Sequence, residues 1–262
     1  MPLKNTRLHG RNQMINQQLS IVVPFYNPPF GAFQACLQSI QKLNPLEVIL
    51  VDDCSSDEAV ITLAKQSGFT YLKTPYQSGH DGVPFNIGVQ HAKGAYVCKV
   101  DADDLLLELP LSMLYNIHLA RMNRSADPTN VTLEELILAP RSIHNGAIIA
   151  TDLARQLPFA HDNAIFNDVL TLLRLLYRKE RFSVHPTMNY IYNDIPNSIQ
   201  TSKPRHYHRL RHIQTVARFC QLENLSPEQS EYFLQLAMLN FRYGAKARNM
   251  LKKHNAIQKV QS

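Results

Sequence analysis

Short apolar runs rich in β-branched residues alternate with segments of helical period through the first hundred residues. Ser20-Ile-Val-Val-Pro-Phe25 reads as a buried strand, stopped by Tyr26-Asn-Pro-Pro29. Phe33, Leu37, Ile40 and Leu43 then share one helical face, and the pattern ends before Pro45. Glu47-Val-Ile-Leu-Val51 is a second strand, followed by the polar turn Asp52-Asp-Cys-Ser-Ser-Asp57. Ser55 or Ser56 is placed to cap the next helix, which runs to Gln66 and stops at Gly68. Thr70-Tyr-Leu-Lys73 is a third strand. A loop with Gly79 and Gly82 leads into a helix through Asn86 to His91, and Ala95–Val100 is a fourth strand. Strands alternating with helices predict an α/β fold, a parallel sheet covered by helices. Ligands of such sheets gather at the carboxyl ends of the strands.

The second half is less regular. Pro110–Asn123 reads as helical, Ser142–Ala150 as a strand and Phe166–Lys179 as a helix carrying Asp168 in its first turn. Phe182–Tyr192 reads as a strand, followed by the polar loop Asn193-Asp-Ile-Pro-Asn-Ser198. Two amphipathic helices are predicted over 205–222 and 227–253, the second started by Ser226-Pro227. The organisation that follows is a loose leader over 1–18, a catalytic domain over 19–202 and a basic helical extension over 203–262.

Candidate chemistry sits at the strand ends. Val97-Cys-Lys-Val-Asp-Ala-Asp-Asp104 is an apolar run ending in three carboxylates, Asp101, Asp103 and Asp104. Side chains alternate along a strand, so Asp101 and Asp103 project to one side. Like charges so placed call for a cation or a set of donors. Oxygen ligands of this kind suit a hard ion such as Mg²⁺ or Mn²⁺. An acidic turn capping the next helix is the plainer alternative. Asp52-Asp53 and Tyr26-Asn27 occupy equivalent strand ends, and three polar clusters on one rim favour a ligand site.

Charge sharpens the picture. The 262 residues carry a net charge of +6. From Lys203 onward eleven Lys and Arg face three Glu, a net of +8, which leaves −2 for everything before. A basic amphipathic helix suits an anionic membrane surface. Arg205-His-Tyr-His-Arg-Leu-Arg-His212 equally suits a solvated helical face. The tail has no zinc motif or aromatic-interleaved strand, which argues against a nucleic-acid partner. The four cysteines are scattered, with no Cys-x-x-Cys pair, so a reducing, cytoplasmic location is expected. The first nineteen residues lack the apolar core of a signal peptide, and no apolar run is long enough to cross a bilayer.

Four segments together resemble the family 2 glycosyltransferases of the GT-A fold: Ser20-Ile-Val-Val-Pro-Phe-Tyr-Asn27, Glu47-Val-Ile-Leu-Val-Asp-Asp-Cys-Ser-Ser-Asp57, Asn86-Ile-Gly-Val-Gln-His-Ala-Lys-Gly-Ala-Tyr96 and Asp101-Ala-Asp-Asp104. Order and spacing match as well as the motifs. The resemblance covers residues 19–110 well, is traceable through 140–200 and does not reach the tail. It implies a nucleotide-sugar-binding half over 19–110 and an acceptor-binding half over 111–202. It also implies an inverting transfer of a sugar from a nucleoside diphosphate donor, expected to be a UDP-sugar, with Mg²⁺ or Mn²⁺. The acceptor would be a glycan or lipid-linked hydroxyl, in bacterial surface polysaccharide or lipooligosaccharide synthesis, at the inner face of the cytoplasmic membrane.

By position, Pro24 and Tyr26 would line the nucleotide pocket, with Asn86 nearby. Asp53 and Asp52 would bond the base or ribose, and Asp101 and Asp103 would hold the ribose and the metal–diphosphate. The family's acidic pair before an Arg matches Asn167-Asp168 with Arg174, making Asp168 the candidate base. Asp162, beside His161, is a rival, and His144 and His185 read as structural. Three positions depart from the pattern: Asn167 for a Glu, Phe85 for an Arg before Asn86, and Ile195 for a His ahead of Ser198, which remains a donor-site candidate. A sugar-nucleotidyltransferase is a second reading, but it calls for a Gly-rich basic loop where this chain has Tyr26-Asn-Pro-Pro29. The tail could also mediate homo-oligomerisation.

Overall fold

The computed structural model describes residues 14–123, 129, 131–138, 140, 145–162, 165–194, 204–244 and 246. A seven-stranded sheet in the order β3-β2-β1-β4-β7-β6-β8 runs through it. Its first four strands are β1 (Leu19–Phe25), β2 (Glu47–Asp52), β3 (Thr70–Lys73) and β4 (Tyr96–Lys99), all parallel. β7 (Ile148–Ala150) runs antiparallel to both β4 and β6 (Ile117–Leu119), while β8 (Phe182–Val184) lies parallel to β6. The expected α/β class and mostly parallel sheet are therefore present. A separate pair, β5 (Leu105–Leu106) and β9 (Tyr190–Ile191), folds over the carboxyl end of β4.

Every residue of β1 is buried, as expected for a central parallel strand covered on both faces. Its side chains divide by parity. Ile21, Val23 and Phe25 pack with Phe33, Cys36 and Ile40 of α1 (Phe30–Lys42) and Val60 and Ala64 of α2 (Glu58–Gln66). Val22 points the other way, into a cluster with Ile49, Val51 and, from α3 (Gly82–His91), Phe85 and Val89. Gly88 brings α3 onto the sheet: a Cβ there would collide with both methyls of Val22. Gly88→Ala is accordingly expected to cost about 1–3 kcal/mol, read as a shift in urea midpoint at unchanged slope. Pro24 pairs with Val51 beyond Val22, the last β1 residue in register with β4, a position where a missing N–H is tolerated.

Several expectations are corrected. Pro110–Asn123 is not a helix; it bends and then enters the sheet as β6. All three residues of β6 are buried between β7 and β8, whereas Leu111 and Leu114 are exposed. Sheet pairing outweighs the local pattern there. The strand expected over 182–192 is broken into β8 and β9, which join different sheets. Residues 15–18 of the leader form a 3-10 turn with Ile15 buried, and two helices went unforeseen, α4 (Leu133–Leu138) and α5 (Thr151–Gln156). Neither Ser55 nor Ser56 caps α2. Asp57 does, accepting from the amides of Ala59 and Val60, because both serines are bonded to Asn27.

Among the described residues the remaining helices are α6 (Asn167–Tyr177), α7 (Arg205–Leu222) and α8 (Pro227–Tyr243). α8 starts with a capping box between Ser226 and Gln229, as the Ser-Pro signal led one to expect. Val216, Phe219 and Cys220 of α7 and Phe233, Leu236 and Ala237 of α8 share one core with β6, β7, α4 and α6. The compositional change at residue 203 is thus not a break in packing.

Candidate active site

The rim at the carboxyl ends of β1, β2 and β4 is built largely of side chains that hold loops. Asp52 accepts from the Ser55 amide at 2.7 Å and the Tyr71 hydroxyl at 2.7 Å. Asp53 accepts from the amides of Ser78 (2.9 Å) and Gly79 (3.0 Å) and from the Thr74 hydroxyl (3.2 Å). Both carboxylates are buried. Asp53 holds the loop over 74–79, while Asp52 ties the turn at Ser55 to Tyr71 on β3. Asn27, at a φ of 41°, joins the first two loops through Ser55, Ser56 and Asp57. Tyr26 beside it is exposed, its ring available to a ligand.

Asn86 pairs like a piece of backbone, accepting from the Phe159 amide and donating to its carbonyl, each at 2.9 Å. It clasps the segment that leads into α6. At the head of that helix Asn167 is buried and accepts from the Ala160 amide at 2.7 Å, while Asp168, half-buried, follows in the first turn. Ser198, Ile195 and His144 lie outside the described residues. His185 is buried, its ring bonded to the Thr187 carbonyl and packed edge-on against His118, in keeping with a structural role.

The aspartate cluster is held by two devices. The first is Tyr190, fully buried on β9. It accepts from the Asp101 amide at 3.2 Å and donates to Asp104 at 2.8 Å. Asp104 also accepts from the Asn193 amide. Burial, with Asp101 close by, raises the Asp104 carboxyl to about 7. The second device is Lys99. Its side chain is 3% exposed and its ammonium meets Asp101, Asp81 at 2.9 Å and the Asn145 amide oxygen at 3.2 Å. Three N–H donors thus find three acceptors. Burial alone would lower this ammonium's pKa, but Asp101 and Asp81 outweigh it and drive the pKa upward. Asn145 in turn donates to the second oxygen of Asp101. Asp81, its side chain 43% exposed, is held acidic by Lys99 and also accepts from Asn167. One continuous polar network therefore joins Asp101 at the end of β4 to the first residue of α6.

Lys99, Asp81, Asn145 and Tyr190 were not singled out from sequence. Lys99 did leave a signal, a lone charge in an apolar strand two residues before Asp101 and so on its side. Asp81 and Asn145 left none, since each enters the site from a different loop.

A mostly parallel sheet with acidic loops at its carboxyl rim, closed by an antiparallel second half, is the GT-A fold. Residues 20–124 match the family described as Glycosyl transferase family 2. Among curated relatives, the poly(ribitol-phosphate) β-N-acetylglucosaminyltransferase TarP of Staphylococcus aureus is 32% identical over 106 residues, covering 38% of this chain and 32% of the relative. The poly(ribitol-phosphate) β-glucosyltransferase of Bacillus spizizenii is 32% identical over 107 residues, covering 38% and 17%. The match thus spans a third or less of these relatives' lengths.

Solved structures extend the likeness in fold. S. aureus TarS 1–349 in complex with UDP-GlcNAc superposes with a TM-score of 0.65 at 21% identity, over 86% of this chain and 73% of that one. The mannosyltransferase PcManGT of Pyrobaculum calidifontis, in complex with GDP-Man and Mn²⁺, gives a TM-score of 0.57 at 18% identity, over 92% and 80%.

The residues present fit a divalent cation of the kind that keeps several waters and binds through one or two carboxylates plus phosphate oxygens. Among the described residues no three His, Cys, Asp or Glu are grouped as a closed cage. Among the described residues Asp103 is the carboxylate of the cluster with no side-chain donor, and burial together with the charge of Asp101 raises its pKa. A group so destabilised in its charged form gains from a cation.

Proposed function

We propose that this chain transfers a sugar from a nucleoside diphosphate donor, a UDP-sugar, to a hydroxyl of a glycan or lipid-linked acceptor in surface polysaccharide synthesis, with inversion. The observation that carries the reading is the network tying the aspartate cluster to the head of α6, because it sets a donor-side group and a candidate base on one rigid frame. The acceptor oxygen attacks the anomeric carbon from the face opposite the diphosphate. The bond from that carbon to the phosphate oxygen breaks, and its electron pair leaves with the diphosphate. Asp168 takes the acceptor's proton. Asp103 would hold a divalent ion, which would supply Lewis-acid stabilisation of the leaving diphosphate. Asp53 acts through the loop over 74–79 that it holds and Asp52 through the turn at Ser55, and Tyr26 offers a ring face to the base. The exposed cations Arg205, Arg218, Arg242 and Lys246 suit an anionic membrane surface carrying the acceptor.

The test is a panel of nucleotide sugars with Mn²⁺, scored for release of nucleoside diphosphate and for thermal stabilisation. A UDP-sugar should raise the melting temperature and be turned over. Indifference to every nucleotide sugar would remove the proposal.

A further inference from the structure

We infer that Arg211 and Thr215 of α7 are positioning residues that set the head of α6, so that the basic helical extension takes part in placing Asp168. The inference rests on the reaction proposed above, with Asp168 as its base, and names what aims that base.

Helix α6 starts without a side-chain cap. Phe166 holds the N-cap position, and its ring has no polar atom to bond the first amides. The peptide unit between Ile165 and Phe166 is gripped from outside instead. Its carbonyl accepts from the Arg211 guanidinium at 2.9 Å, and its N–H donates to the Thr215 hydroxyl at 2.9 Å. Arg211 and Thr215 stand four residues apart and so share one face of α7. The Thr215 hydroxyl is itself aimed: it donates to the Arg211 carbonyl at 2.8 Å, which turns its lone pairs to the Phe166 amide. Thr215 is fully buried. The Arg211 guanidinium also lies over the Phe166 ring, 4.4 Å from its centre. Two side chains thus fix both polar ends of one peptide and the ring beside it.

Asp168 follows two residues on, in the first turn of α6. The Phe166 carbonyl accepts from the Leu170 amide at 2.8 Å, so a tilt of the gripped peptide passes into that turn and moves the Asp168 carboxylate. Asn167 is tied to Ala160 and Asp81, which holds the head of α6 from the donor side. Helix α7 supplies the second point of support. A base must lie within hydrogen-bond reach of the proton it takes, and a misplacement of about 1 Å can cost about a hundredfold in rate.

The experiment compares Arg211→Met and Thr215→Val in the full chain. Each should lower turnover of the UDP-sugar selected by the panel above by about tenfold or more, while UDP–Mn²⁺ affinity by calorimetry stays within about twofold. Thr215→Ser, which keeps the hydroxyl, should behave as the parent. In an Asp168→Asn background Arg211→Met should lower the residual rate by less than about twofold, because a residue that acts through Asp168 has nothing left to aim. Hydrogen exchange needs no turnover. It should show the segment 165–170 exchanging about tenfold faster in both variants, with α8 unchanged.

Undiminished turnover in both variants would overturn the inference. So would an equal loss in the parent and Asp168→Asn backgrounds, or UDP affinity falling in step with rate, since either marks a general loosening. If Arg211→Met does not fold, Thr215→Val against Thr215→Ser decides. A parent protein that turns over no nucleotide sugar would sink the proposed reaction. The exchange comparison then decides the brace by itself: faster exchange over 165–170 keeps it and unchanged exchange removes it.

Discussion

Asp168→Asn is expected to lower sugar transfer by about 10²–10⁴-fold, the range that a positioned general base supplies, while leaving UDP–Mn²⁺ affinity within about twofold. The substitution keeps the shape of the side chain and removes the site that accepts the proton. Its neighbour Asn167 is fixed independently by the Ala160 amide and by Asp81, so the head of α6 should hold its place. The comparison to make is turnover at saturating donor against UDP binding by calorimetry. Asp162→Asn, which removes the rival carboxylate beside His161, should retain most of the activity. Full activity in Asp168→Asn, or nucleotide binding lost in step with rate, would take the base assignment away from Asp168.

The first four strands and three helices were legible in sequence because each is specified locally. β-branched runs of strand length are set off by prolines, glycines and Asx turns, and Leu19–Phe25, Glu47–Asp52 and Thr70–Lys73 fall within a residue of expectation. The second half was less legible because its strands are two or three residues long, too short to carry a period. Ile117–Leu119 is a strand only because Ile149 and Phe182 lie on either side of it. Helix α7 was foreseen from 205 to 222, but its basic face was not resolved into roles. Arg209 donates to the Phe241 carbonyl, and Arg211 donates to the Ile165 carbonyl and covers the Phe166 ring. His212 is buried and bonded to the Ile137 carbonyl at 2.6 Å. Those partners lie 32 to 75 residues away, and a single sequence holds no trace of them.

The same distance between cause and position explains the site. Where an Arg often precedes the Asn of the third motif in family 2 enzymes, this chain has Phe85, packed against Phe159 with ring centroids 4.6 Å apart. Read along the chain, that looks like a lost cation. The rim nonetheless holds a buried cation from β4, Lys99, paired with Asp81 and Asp101. Similarly, Asn167 replaces an acidic residue in the motif, yet it is the group that joins α6 to Asp81. An amide can donate to a carboxylate where a second carboxylate would repel it.

Glu223→Ala should cost about 3 kcal/mol or more in urea denaturation, out of the roughly 5–15 kcal/mol typical of a domain. Glu223 closes α7 with its side chain 7% exposed, and it accepts from Arg174 at 2.7 Å and from Arg178 at 2.9 Å. Removing it leaves the Arg174 guanidinium, 10% exposed, without its counter-charge. Arg178→Ala should cost much less, since that side chain is 34% exposed and an exposed partner contributes little. Burial works against the Glu223 carboxylate, but Arg178 and Arg174 outweigh it and hold its pKa below the ordinary 4.5. A depressed carboxylate contributes stability that is present above its unfolded pKa and is lost as pH falls through its folded pKa. The parent should therefore lose this contribution only below pH 4.5, and Glu223→Ala should lack that part of the acid transition. Because Arg174 lies on the helix that Asp168 opens, loosening this pair should also lower transfer, although no residue of the pair touches the rim. A Glu223→Ala protein as stable as the parent would mean that α7 is held by its apolar face alone, through Val216, Phe219 and Cys220.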